Sequence, residues 1–339
     1  MLKAGIIGCG RIVQEGHIRA FEALKDKVTV IALADPAPEC LSAVGEALGV
    51  PEQSRYASAT ELLEAQADAL DFVDLALPHF LHRDITIECA EAGVNILSEK
   101  PMATTVAEAD DMLAAVEKAG VCFSVIHNRR YSPVSATVRE LVAAGAIGKP
   151  FLIRSEGLGR GHYPGTPAYD PDWRTKSERA GGGCLLDNGY HNIYIARELM
   201  GSPVESVYGC IGTYRHSITV DDTACVLLSH ENAGITSIQI AWSSVGGGQH
   251  VEEIHGTEGT IQIGRGEAPV RLCQGGDEWT EPELAPVPLQ GFAGVIDDYI
   301  KALTEGAEPP TPADEVRENL RVIEAAYESA RKGEAVWLR

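Results

Sequence analysis

The sequence has no apolar stretch approaching the roughly 18 residues that a membrane-spanning helix requires, so no membrane span is expected. It has no C-x-x-C pair and no N-x-S/T sequon. The first absence removes the usual spacing of a zinc or disulfide framework, and the second agrees with a cytoplasmic chain. Positive charge is scarce, with 28 lysines and arginines against 49 acidic side chains and a formal charge of −21. Such a surface repels phosphate polymers and anionic lipid, so neither nucleic acid nor a membrane is an expected partner. Internal repeats are absent. Met1-Leu2-Lys3 runs straight into Ala4-Gly5-Ile6-Ile7-Gly8, which reads as a first strand rather than a signal peptide.

What remains suits a folded chain. At 339 residues and 45% hydrophobic, it can bury a real core, and its length favours two domains. The eight cysteines are scattered. Several, such as Cys122 and Cys225, sit among apolar neighbours and read as small buried hydrophobes, so no metal site is expected.

Short apolar runs alternate with helical patterns through the first third. Strands are expected at 4–8, 28–34, 72–77, 94–98 and 121–126, with helices at 17–24, 39–48, 83–92 and 106–119. Strands that are apolar on both faces require cover on both sides, so this α/β order predicts a doubly wound parallel sheet. Beyond residue 127 the pattern changes to a helix at 134–144, another at 185–200, and many short strands. Two helices follow, at 294–303 and 313–332, with Pro309-Pro310-Thr311-Pro312 as a stiff linker between them. The expected division is a dinucleotide-binding domain over 1–127 and an α+β substrate and oligomerisation domain over 128–339.

The first strand leads into Gly8-Cys9-Gly10-Arg11-Ile12-Val13. The first glycine allows a tight turn, the second lets backbone approach a pyrophosphate, and the next helix offers its N-terminal N–H groups. Val13 stands where the fingerprint has Gly or Ala. Alone, the pattern is as consistent with a structural turn; its place at the first strand-to-helix junction favours a cofactor. Asp35 ends the second strand, 25 residues after Gly10. There it can accept the ribose hydroxyls of NAD and repel the 2′-phosphate of NADP, or it is a turn residue before Pro36. Pro78 and His82 lie at the carboxyl end of the third long strand, where such sheets bind ligands, although a capping or packing role suits His82 equally. Glu99-Lys100-Pro101 follows a buried strand. Its lysine is placed to donate to a substrate oxygen, with Pro101 fixing the backbone, though such a tripeptide is also a common solvated turn.

Further motifs follow in order: His127-Asn128-Arg129-Arg130-Tyr131, then Trp173-Arg174, then Gly181-Gly182-Gly183-Cys184-Leu185-Leu186-Asp187-Asn188-Gly189-Tyr190-His191, then Ile254-His255-Gly256-Thr257-Glu258-Gly259. With the glycine fingerprint and Glu99-Lys100-Pro101, this succession resembles the Gfo/Idh/MocA oxidoreductases, which include glucose–fructose oxidoreductases and inositol dehydrogenases. The departures are Val13, and Tyr194 where many members carry an acidic residue.

The resemblance implies an N-terminal Rossmann sheet, a C-terminal domain with a large, mostly antiparallel open sheet, and a homodimer or homotetramer formed through that sheet. It implies NAD as cofactor, held around Gly8, Cys9, Gly10, Arg11, Ile12, Asp35, Pro78, His82, Glu99, Lys100, Asn128, Trp173 and Arg174. It implies a catalytic trio of Lys100, Asp187 and His191. A helix through 187 and 191 would put carboxylate and imidazole on one face, suited to proton transfer from a hydroxyl. A sugar or polyol substrate would meet Lys100, Arg129, His162, Tyr163, Asn188 and His191, with Tyr131 as a further pocket residue and 157–165 as a mobile loop. The activity implied is reversible NAD-dependent oxidation of a secondary hydroxyl. Glycoside cleavage through transient oxidation, and a non-catalytic NAD-binding regulator, are the two rival readings.

Overall fold

Nearly uninterrupted apolar runs build the first sheet. The computed structural model describes residues 1–246 and 248–338. Six strands, β1 (Leu2–Ile7), β2 (Val28–Ala34), β3 (Arg55–Tyr56), β4 (Phe72–Leu75), β5 (Asn95–Ser98) and β6 (Phe123–Val125), pair in the order β3-β2-β1-β4-β5-β6. Every pairing is parallel, as the doubly wound expectation requires. The order reverses between β1 and β4, and the crevice at such a switch point is where these sheets bind ligands. Gly8 and Ala76 therefore face each other at the site that matters.

Local chemistry fixes the covering helices. Thr105 accepts the Glu108 N–H at 3.2 Å to start the helix Val106–Ala119, and Gly120, left-handed at φ 69°, ends it. The helix Ala59–Gln66, absent from the sequence expectation, begins in the same way. Ser58 accepts the Glu61 N–H at 3.2 Å, and the Glu61 carboxylate reaches back to the Ala57 N–H at 3.1 Å. The expected helix at 17–24 starts earlier, at residue 11, because its first turns include a π segment over Val13–His17.

The second sheet contains β7 (Pro150–Leu158), β8 (Val204–Gly212), β9 (Thr223–His230), β10 (Ile235–Ala241), β11 (Gln249–Gly256), β12 (Gly259–Ile263), β13 (Val270–Gln274), β14 (Trp279–Thr280) and β15 (Val336–Trp337). Their order is β14-β13-β12-β11-β7-β10-β9-β8-β15. Only β7 and β10 pair in parallel among the described residues. Gly157 and Leu158, expected in a loop, lie inside β7. One face carries the core, where Ile153, Ile254 and Ile261 of the sheet meet Val138, Ala196 and Leu199 of the helices Pro133–Ala143 and Tyr190–Met200.

Packing divides the chain into two compact units. Met1–Asn128, Tyr163–Gly181 and Leu289–Glu318 form one; Arg129–His162, Gly182–Pro288 and Asn319–Arg339 form the other. The proline cluster is a packed part of the first unit. Thr311 is buried and exchanges hydrogen bonds with the Ser124 hydroxyl, both at 3.1 Å. No helix among the described residues is long and apolar enough to cross a membrane.

Candidate active site

Two backbone constraints make the turn after β1. Gly8 has φ +94°, and a Cβ there would stand 2.3 Å from the Ala76 carbonyl oxygen. No larger residue fits that close approach. Asp35 then ties β2 to the turn: Oδ2 accepts the Cys9 N–H at 2.7 Å and Oδ1 accepts the Ala37 N–H at 2.8 Å. Burial raises the Asp35 pKa, and the two backbone donors oppose that rise. The helix opens immediately after Gly10, with Val13 wholly buried beneath it. Its Arg11 N–H donates to Thr166 Oγ1 at 3.0 Å.

Gly8, Gly10, Arg11, Ile12, Asp35 and Pro78 line one cleft that is open to solvent. Trp173, Arg174 and Tyr163 line it from the segment 163–181 of the same unit. The Arg174 guanidinium lies 4.1 Å from the Trp173 ring centre, and Arg11 lies 4.3 Å from that of Tyr163. Tyr163 also donates to Glu15; burial, with that bond, pushes its phenol up to about 12. His79 packs edge-on against Trp173 at 4.6 Å, with its Nδ1 3.0 Å from the Ala180 oxygen. The close-approach glycine, the amide-rich helix start and the carboxylate at the end of β2 fit a dinucleotide.

The remaining cofactor candidates are not among the residues that line this cleft. Cys9, His82 and Glu99 are buried, and Lys100 and Asn128 half-buried. His82 has Nε2 2.9 Å from the Leu77 oxygen, and burial, its largest influence, lowers its pKa. The Lys100–Pro101 peptide is cis. Glu99 accepts the Lys100 N–H at 3.0 Å through Oε2. Its other oxygen lies 3.2 Å from Nε2 of His17, whose Nδ1 meets Asp74 at 2.7 Å.

In the second unit, Asp187 and Asn188 sit in a π turn, Leu185–Gly189, that opens the helix carrying His191. Asp221 anchors this start. Its carboxylate accepts the Gly183 and Leu185 N–H groups at 2.7 and 2.9 Å, the Cys184 thiol at 3.2 Å and the Tyr327 hydroxyl at 2.7 Å. Gly183 is required there, since a Cβ would meet the Asp221 backbone at 1.9 Å. Asp187 and His191 are both buried. Nδ1 of His191 lies 3.1 Å from the Tyr194 hydroxyl. Tyr194 is itself buried, which raises its pKa, with Arg130 5.2 Å from its ring centre. Asn188 accepts the Trp242 indole N–H at 2.6 Å, which identifies its amide oxygen and leaves the NH₂ end as its donor. His162 packs 5.8 Å from Trp242, and the half-buried Arg129 accepts the Ser135 hydroxyl at its carbonyl. Tyr131 ends the short turn Asn128–Tyr131.

Sequence reasoning missed Thr166, Trp242, Asp221, and the pair His17 and Asp74. One signal was legible. Asp74 interrupts the apolar run Phe72-Val73-Asp74-Leu75, and a charge in a central parallel strand demands a buried partner.

Comparison with known proteins agrees with this architecture. Residues 2–127 match the family described as "Oxidoreductase family, NAD-binding Rossmann fold", and residues 135–262 match "GFO/IDH/MocA C-terminal domain". A D-apiose dehydrogenase of Paraburkholderia graminis is 31% identical over 99% of this chain and 90% of its own length. The crystal structure of an aldose-aldose oxidoreductase from Caulobacter crescentus, complexed with glycerol, superposes with a TM-score of 0.89 at 30% identity, covering 99% of each chain. That of the WlbA dehydrogenase from Bordetella pertussis, with NADH and UDP-GlcNAcA, gives 0.86 at 29% identity, covering 100% of this chain and 99% of the other. The chain belongs to the GFO/IDH/MocA family of oxidoreductases, with an NAD-binding Rossmann unit followed by the family's C-terminal domain.

Proposed function

We propose that this protein is an NAD-dependent dehydrogenase that reversibly oxidises a secondary hydroxyl of a sugar, cyclitol or related polyol. The observation that carries the reading is the cleft shared by Gly8, Gly10 and the Asp35 carboxylate. Asp35 retains lone pairs for ribose hydroxyls and opposes a 2′-phosphate, which favours NAD over NADP. A relative named as a D-apiose dehydrogenase, and a dehydrogenase solved in complex with NADH and UDP-GlcNAcA, support the substrate class.

Bound NAD supplies the hydride acceptor. The chain's own groups handle charge. In the tautomer that carries its proton on Nδ1, beside the Tyr194 hydroxyl, His191 acts through Nε2 as the base that takes the hydroxyl proton. Asp187 supports the resulting imidazolium, and the Lys100 ammonium stabilises the developing alkoxide. Asn188, Arg129 and His162 hold the neighbouring hydroxyls. Purified protein given NAD and a polyol panel should produce NADH absorbance. Lys100→Met and His191→Ala should each cut turnover by about 100-fold or more; unchanged turnover would sink the assigned roles. The eight free thiols support a reducing compartment such as the cytoplasm.

Self-association completes the proposal. On the sheet face away from the helices, Tyr208 and Leu227 are directly opposed, and Ile235 extends the same face. These three side chains are 40–50% exposed on neighbouring strands, an apolar patch that a second copy would cover. A monomer mass by light scattering at micromolar concentration would rule this out.

A further inference from the structure

The His17 ring meets carboxylates through both of its nitrogens. It closes the π turn Val13–His17 on the helix that follows the glycine turn, and it is wholly buried. Nδ1 is 2.7 Å from Asp74 Oδ2 on β4, and Nε2 is 3.2 Å from Glu99 Oε1 beyond β5. The Phe292 ring closes over the imidazole at 4.5 Å, shielding it from water. A Cβ added at the adjacent Gly16 would strike that ring at 2.5 Å, so the glycine is needed to admit it. The second oxygen of Glu99 accepts the Lys100 N–H at 3.0 Å. The cofactor helix, a central strand and the main chain of Lys100 thus meet at one ring.

We propose that His17 is the positioning residue for Lys100: by bridging Asp74 and Glu99 it fixes the Glu99 carboxylate, and through it the Lys100 main chain, relative to the helix that receives the cofactor phosphates. The proposal rests on the catalytic reading of Lys100. A ring donating through both nitrogens carries a positive charge, and two carboxylates buried beside it require one. Burial alone would discharge the ring, but Asp74 and then Glu99 outweigh it and raise its pKa to about 10. A neutral replacement leaves Glu99 without its counter-charge, free to turn away and release the Lys100 amide. An ångström of misplacement at a reacting centre costs roughly 100-fold in rate.

The test compares His17→Gln, the double variant His17→Gln/Glu99→Gln and Lys100→Met, with turnover read beside NADH affinity by fluorescence titration. His17→Gln should lose about 10-fold or more in kcat. The double variant returns the cluster to the parent's net charge, with Asp74 the one carboxylate left at the ring, and should regain at least about threefold of that loss. A purely structural role gives losses that multiply, or a kcat for His17→Gln within about twofold of the parent; either result overturns the proposal. If Lys100→Met is inactive while His17→Gln is normal, only this inference fails. If Lys100→Met turns over normally, the catalytic reading fails instead. Should His17→Gln not fold, ¹⁵N spectra of the parent decide the matter. Both ring nitrogens protonated at pH 8 supports the bridge, and a neutral ring there refutes it.

Discussion

The Asp35 carboxylate accepts the Cys9 N–H at 2.7 Å, so the end of β2 shapes the turn after β1. The same carboxylate lines the cleft proposed for the nucleotide, and one substitution separates its structural part from its proposed cofactor part. Asp35→Asn keeps an oxygen for one backbone donor and removes the charge. Repulsion of a 2′-phosphate then disappears, and NADPH affinity should rise about 10-fold or more relative to NADH. Asp35→Ala also orphans two backbone donors, each costing about 1–3 kcal/mol where buried. It should lower the melting temperature and weaken both nucleotides. Fluorescence titration with NADH and NADPH checks this, and equal affinities in the parent protein would defeat the argument.

Much of the first unit was legible because its signals are local. Continuous apolar strands and the Gly8–Gly10 turn each report on their own few neighbours. The π segments at Val13–His17 and Leu185–Gly189 were not, since both sequences scan as ordinary helix and the departure lies in hydrogen-bond phase. Thr166 and Trp242 escaped for a different reason. Thr166 reaches Arg11 across 155 residues and Trp242 reaches Asn188 across 54, and no periodicity encodes such meetings. The short strands β3, β14 and β15 carry two residues each, too few to show alternation.

Asp221 holds the entrance of the helix that carries Asp187 and His191. Two backbone N–H groups at that helix start, which have no intrahelical partner, end on its carboxylate. Asp221→Ala should therefore cost about 2–3 kcal/mol, the range for a buried charged acceptor, seen as a lower denaturation midpoint. Turnover should fall with it, because the first turn supplies the orientation of Asp187. Asp221→Asn keeps an acceptor for one or two of the four donors and should fall between parent and Ala variant. A midpoint for Asp221→Ala within experimental scatter of the parent would show that the turn holds itself.

The buried bridge at His17 also makes stability depend on pH in a stated direction. Its pKa in the folded protein is about 10 against an ordinary value of 6.5. Folding therefore retains a proton that the unfolded chain releases above pH 6.5. The stabilisation is complete below 6.5, declines as pH rises between the two values, and is gone above about 10. Within that window this one group contributes a loss of up to about 1.4 kcal/mol per pH unit. Other groups add slopes of their own, so the informative quantity is the difference between parent and His17→Gln. Melting temperatures from pH 6 to 9.5 should fall more steeply for the parent, and the two curves should converge towards the alkaline end. Parallel curves would mean that the ring is uncharged in the folded protein, and the bridge to Glu99 would then lack the charge that holds it.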